Sequence, residues 1–166
     1  MKKIFLAVVV ALFSINAMAQ HEIGAIVGGM NGVSYKYWFN DALALQADLA
    51  VGLTEAAGKD ASFGQYDFTI NPNVEYHWAL PVENLKIFAG GGLNLGLCNN
   101  LKYGNSNTLA GKFGINAITG LQYDLASVPL ALAFDFRPGY GMSFDKNNNT
   151  GHFFDWKIAF AVRYKL

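Results

Sequence analysis

The strongest constraint on this chain is an alternation of large apolar residues with small or polar ones, repeated with a period of two through eight segments. Side chains of a β-strand point to opposite faces in turn, so this pattern builds a sheet with two unlike faces. No long stretch carries the 3.6-residue period of a helix. The segments are Glu22–Gly29, Val33–Phe39, Leu43–Leu53, Gln65–Trp78, Leu85–Gly96, Lys112–Asp124, Leu130–Met142 and Phe153–Lys165. Three connections are short (Asn40–Ala42, Ala79–Asn84, Leu125–Pro129), and two of them contain a proline, Pro81 or Pro129. The connections at the other end, Glu55–Gly64, Leu97–Gly111 and Ser143–His152, are longer and richer in Asn, Gly and Lys. Only Met30–Gly32 on that side is tight.

Which face meets solvent follows from volume. Tyr66, Phe68, Ile70, Val74, Tyr76 and Trp78 share one face of the fourth segment, and Phe154, Trp156, Ile158, Phe160, Val162 and Tyr164 one face of the eighth. Eight closed strands leave an interior barely wide enough for side chains, so these bulky faces would overfill it. The opposite face is lined by Gly90, Gly92, Gly114, Ala131, Ala133, Ala159 and Ala161, which fit. The bulky face therefore points outward, into lipid. Lys36, Asp48, Asp67, Glu75, Lys112, Asp135, Arg137, Asp155, Lys157 and Arg163 all fall on the small-residue face, five positive and five negative. A basic residue turned to lipid would cost about 2–4 kcal/mol at the bilayer midplane. Inside, the ten are expected to form a structural plug of salt bridges, with a proton or ion path as the alternative.

Aromatic residues fit the same geometry. Tyr37, Phe39, Tyr76, Trp78, Tyr123 and Tyr164 sit at the short-turn ends of their strands, and Tyr66, Phe68, Phe113, Tyr140, Phe154 and Trp156 toward the other rim. Two girdles at head-group depth are what a spanning barrel needs, and short turns belong on its periplasmic side. Trp38, Phe88, Ile26 and Ile118 fall on the inward face as gap fillers. Pro72 and Pro138 interrupt strands and remove ladder donors, so bulges are expected there, or strand sections beyond the hydrocarbon. Composition agrees: hydrophobic residues make up 52% and charged ones 14% at zero net charge, which excludes a disordered chain and argues against a nucleic-acid partner.

The first residues read as an export address. Lys2 and Lys3 precede the apolar run Ile4–Phe13, and Ala17-Met18-Ala19 forms an A-x-A cleavage site. As a helix that run would rise only ~15 Å, too short to anchor across ~30 Å of hydrocarbon. Residues 1–19 are thus expected to be a signal peptide and 20–166 the barrel domain, with Cys98 a lone buried thiol.

Catalytic chemistry needs a nucleophile, a base and an orienting group brought together. The histidines are His21, His77 and His152. His77 shares a face with Glu75 at the short-turn end and reads as a satisfied rim histidine. His152 stands in a loop opposite Ser143, a pairing of little weight. Asp145–Gly151 places oxygen ligands at alternate positions, but its glycine is one place late and Trp156 occupies the twelfth position, so it reads as a polar turn rather than a calcium loop. Gly90-Gly91-Gly92 lies mid-strand and relieves crowding inside. No Cys/His metal spacing is present. Neither a catalytic residue nor a cofactor is expected.

Gly32-Val-Ser-Tyr-Lys-Tyr-Trp-Phe39, Val128-Pro-Leu-Ala-Leu-Ala-Phe-Asp-Phe-Arg-Pro138 and the terminal Val162-Arg-Tyr-Lys-Leu166 resemble the small outer-membrane β-barrel family of the OmpX/OmpA transmembrane-domain type across residues 21–166. The resemblance implies an all-β, eight-stranded antiparallel up-and-down barrel in a Gram-negative-type outer membrane. It also implies insertion by the assembly machinery that reads the last strand and, with the chain stopping at the barrel, no peptidoglycan-binding domain. The expected function is a non-enzymatic envelope-structural or surface-interaction role through the extracellular loops. The alternatives are a narrow ion or proton conductance, a lipid-modifying enzyme, and a soluble lipocalin-like binder.

Overall fold

In a computed structural model, which describes residues 21–54, 65–99, 109–144 and 150–166, eight strands close into one barrel. They are β1 (His21–Gly28), β2 (Met30–Trp38), β3 (Leu43–Thr54), β4 (Gln65–Ala79), β5 (Leu85–Asn99), β6 (Leu109–Asp124), β7 (Leu130–Phe144) and β8 (Thr150–Lys165). Each pairs antiparallel with the next, and β1 pairs with β8 from Glu22↔Lys165 to Gly28↔Ala159. The expected signal peptide and the Glu55–Gly64 connection lie outside the described residues.

Several expected loops are shorter than the alternation suggested. β5 and β6 remain paired through Cys98↔Ala110 and Asn99↔Leu109, and β7 and β8 through Ser143↔Gly151 and Phe144↔Thr150. His152 therefore lies in a strand, opposite Met142, rather than in a loop. Met30–Gly32 is not a loop either. These residues open β2, with Met30↔Gly52 and Asn31↔Val51 in register. The turn falls at Gly28-Gly29, where Gly28 adopts φ 121° and the Asn31 side chain accepts a hydrogen bond from its amide at 3.3 Å. A glycine takes that left-handed conformation without a Cβ penalty, so the break comes there and not at Gly32. At the opposite rim Asn40 Oδ1 accepts from the amides of Ala42 (2.9 Å) and Leu43 (2.8 Å), closing a side-chain-stabilised turn.

Neither proline creates a bulge. Pairing of β4 with β5 lapses between Ile70↔Leu95 and Asn73↔Gly92, then resumes in the same register. Pairing of β6 with β7 lapses likewise between Thr119↔Phe136 and Asn116↔Gly139. Pro72 stays paired with Ala47 on its other side, and Pro138 with Trp156. Each ring thus removes ladder bonds on one side only. Asn73 donates to the Asn71 carbonyl at 3.0 Å, and Asn116 reaches the Ala117 carbonyl at 3.4 Å. The luminal glycines Gly90 and Gly92 have a stricter reason than side-chain crowding. A Cβ on either would collide with a β4 backbone carbonyl, that of Val74 or Pro72. Only glycine lets β5 approach β4 this closely.

The two faces of the wall separate cleanly. Phe134 is 52% exposed, Phe160 41% and Trp156 53%, whereas Arg137 is 4% and Lys157 5% exposed. Ile26, Trp38, Phe88 and Ile118 are buried inside, as the alternation placed them. A wall this apolar outside and charged within is that of a membrane-spanning barrel. Phe160→Arg should destabilise the barrel by about 2–4 kcal/mol in urea titrations in lipid vesicles. Ala126→Arg, on an exposed turn, should stay within about 0.5 kcal/mol of the parent.

Candidate functional site

The lumen holds the polar chemistry of this molecule. It arises because every second residue of the wall points inward, and those positions carry the ionisable side chains. All ten charged residues expected inside are buried there. The structure gathers them into three groups.

Toward the long-loop rim, Lys112, Asp67, Lys157 and Asp155 form a ring of alternating charge. Lys112 Nζ lies 2.6 Å from Asp67 and 3.1 Å from Asp155, and Lys157 Nζ lies 3.2 Å and 3.1 Å from the same two. Lys112 also sits 4.4 Å from the centroid of the Phe153 ring, an additional cation–π contact. Phe153 packs with Cys98 and Ala110 into an apolar cluster.

At mid-height Arg137 makes the fork geometry that its planar guanidinium favours. Nε and Nη2 donate to the two oxygens of Asp135 at 2.9 and 2.8 Å, and Nη1 donates to Asp48. Gln46 donates to Asp48 at 2.9 Å and accepts from Arg163 at 2.7 Å, and Arg163 also donates to the Ser34 hydroxyl.

Near the short-turn rim, Lys36 pairs with Glu75 at 2.7 Å and donates to Gln122 at 3.0 Å. His77 meets Glu75 at 3.0 Å, with its ring between those of Trp38 and Phe88, at centroid distances of 4.4 and 4.9 Å. His77 is thus an interior histidine, held through Nε2 by Glu75 and by the two flanking rings. Glu22 accepts from the Trp38 indole (2.9 Å) and from Gln122 (3.3 Å). At the mouth Asp124 takes Lys165 at 2.9 Å and Lys86 at 3.7 Å.

Glu22, Gln122 and Ser34 are the members that the sequence reading missed. Glu22 was legible: it stands two and four residues before Gly24 and Ile26 on the same face. With it, the buried set holds five basic and six acidic side chains, balanced at the mouth by two lysines around Asp124.

Ser143 and His152 are not brought together. Ser143 is buried in the lumen, while His152 faces outward and contacts the Tyr140 hydroxyl at 3.1 Å. His21 likewise meets the Tyr35 hydroxyl at 2.7 Å. Among the described residues no cluster of His, Cys, Asp or Glu could hold a metal ion. Asp145–Asn149 lie outside the described residues. Of the girdle residues, Tyr76, Trp78, Tyr123 and Tyr164 are exposed at the short-turn ends, with Tyr37 half-buried beside them. Tyr140, Phe154 and Trp156 are exposed toward the other rim, and the Tyr66 side chain lies outside the described residues.

No family model and no curated protein matches the chain by sequence. Solved structures do match. The N-terminal β-barrel domain of OprF from Pseudomonas aeruginosa is 17% identical with a TM-score of 0.59, covering 89% of this chain and 96% of that one. A major outer membrane protein from Thermus thermophilus is 12% identical with a TM-score of 0.52, covering 90% and 100%. The fold is that of the eight-stranded outer-membrane β-barrels.

Removing one partner of a buried ion pair strands the other charge. Arg137→Met should therefore cost about 3–5 kcal/mol in urea unfolding, by leaving Asp48 and Asp135 unpaired. Combining it with Asp48→Asn and Asp135→Asn should recover most of that loss.

Proposed function

We propose that this protein is a non-enzymatic integral protein of the outer membrane, with an envelope-structural or surface-interaction role carried by its long-loop rim. The observation that carries this reading is the lumen, where each charged group in the three tiers holds an oppositely charged or hydrogen-bonding neighbour. Side chains committed to one another in this way brace the wall and leave recognition to the loops. Insertion by the outer-membrane assembly machinery through the last strand belongs to the same reading. Deleting residues 100–108 and 145–149 should abolish capture of surface partners from intact cells while the barrel still migrates as a folded band. Unchanged partners would overturn the interaction role, and altered lipid A or phospholipid profiles on overexpression would overturn the non-enzymatic one.

One observation favours a second reading, a narrow conductance. Glu22 Oε2, Glu75 Oε1, His77 Nδ1, Arg163 Nη1 and Asp48 Oδ1 are buried without a protein partner, and buried polar atoms of this kind commonly hold water. Arg137, clamped to two strands' carboxylates, stands across any such path. Planar-bilayer recordings should show no unitary steps for the parent protein. Steps in the parent would establish the conductance.

A further inference from the structure

The three luminal tiers are not charged alike. The ring at the long-loop rim sets two lysines against two aspartates, and mid-height sets Arg137 and Arg163 against Asp48 and Asp135. The short-turn tier has Lys36 alone against Glu22 and Glu75. Its shortfall of one positive charge is met from the mouth. There Lys86 and Lys165 share Asp124, and Lys86 Nζ lies 4.5 Å from the centroid of the Trp38 ring.

His77 is the one group of this tier that can gain a positive charge. Its Nε2 meets Glu75 Oε2 at 3.0 Å, an oxygen that Lys36 Nζ also meets at 2.7 Å. A carboxylate only accepts, so Nε2 carries the hydrogen and Nδ1 keeps its lone pair. Nδ1 is buried and has no protein partner. Glu22 Oε2 and Glu75 Oε1 are also buried without one, so acceptors remain in the tier for a water beside a protonated ring. The rings of Trp38 and Phe88 flank the imidazole at 4.4 and 4.9 Å, and aromatic faces favour a cation.

The charged groups around His77 are Glu75 on β4, Lys36 on β2, Glu22 on β1 and Lys86 on β5. Arg163 and Lys165 on β8 and Asp124 on β6 stand beyond them, while β3 and β7 present Ala44 and Ala131 at this height. A cavity of about 430 Å³ at the mouth, lined by Asp41, Glu83, Lys86, Asp124 and Lys165 among others, opens beside Lys86.

We propose that the short-turn tier is a proton-binding site: on mild acidification His77 Nδ1 takes one proton from solvent, and the imidazolium replaces Lys86 as the charge that balances Glu22 and Glu75. Proton and Lys86 therefore compete, and by linkage each weakens the hold of the other. The contacts of Lys86 with Trp38 and Asp124 thereby respond to pH. The proposal goes beyond the loop-borne role above and needs no conducting path.

The test is a titration of the full barrel, carrying nitrogen-15-labelled histidine, in phospholipid nanodiscs. It runs from about pH 8 to about pH 4.5, on both sides of an ordinary histidine, with the His77 ring signals assigned by their loss in His77→Gln. Above the midpoint Nε2 should carry the hydrogen, and below it both nitrogens should. Lys86→Met should raise the midpoint by about one pH unit, and Glu22→Gln should lower it by about as much. A His77 ring that stays neutral throughout, a hydrogen on Nδ1 above the midpoint, or a midpoint that Lys86→Met leaves in place would overturn the proposal.

Discussion

An interior enclosed by eight strands is too narrow for rows of phenylalanine and tyrosine, and the two-faced wall of the described strands follows from that limit. Once the bulky rows are forced outward, the opposite rows must carry residues that are small, or long and thin with charged ends. Glycine and alanine supply the first kind; lysine, arginine, aspartate and glutamate supply the second. The outer surface is then apolar over the height between the two girdles, and such a surface is stable only in lipid.

The luminal charges contribute sidedness more than net stability. Pairs buried away from water regain little beyond their desolvation cost, and an apolar filling of equal volume can be as stable. A polar lumen, however, penalises the inside-out arrangement heavily, because it would turn each charge toward hydrocarbon. Near-neutrality within each tier lets the groups sit in a space without bulk water. The tiers also tie distant strands together: Arg137 on β7 holds Asp48 on β3, and Lys112 on β6 holds Asp67 on β4 and Asp155 on β8. These are ties across the lumen, which the ladder of neighbouring strands does not provide.

Two irregularities show how the wall accommodates imperfect strands. Pro72 and Pro138 each sit where one side of the strand forgoes its ladder bonds, and at Pro138 the Asn116 side chain reaches the Ala117 carbonyl left without its partner. The short β1–β2 hairpin is the larger departure, since it turns back at Gly28-Gly29 while β3 runs on to Thr54 and β8 begins at Thr150.

The alternation by itself determined the strand number, the inward and outward faces and the identity of the ten charged residues inside, because a period of two is a local property that survives any choice of neighbours. Glu22 obeys the same rule and was overlooked only for standing at the very start of a strand. What the tertiary structure decided is whatever depends on register and closure. It set which lysine meets which aspartate, that Ser143 and His152 lie on opposite faces of the wall, and that Gly90 and Gly92 are required by a neighbouring backbone. It also set the unequal height of the rim. These are relations between segments far apart in the chain. They are fixed only when the last strand meets the first and the ladder offsets around the ring must agree.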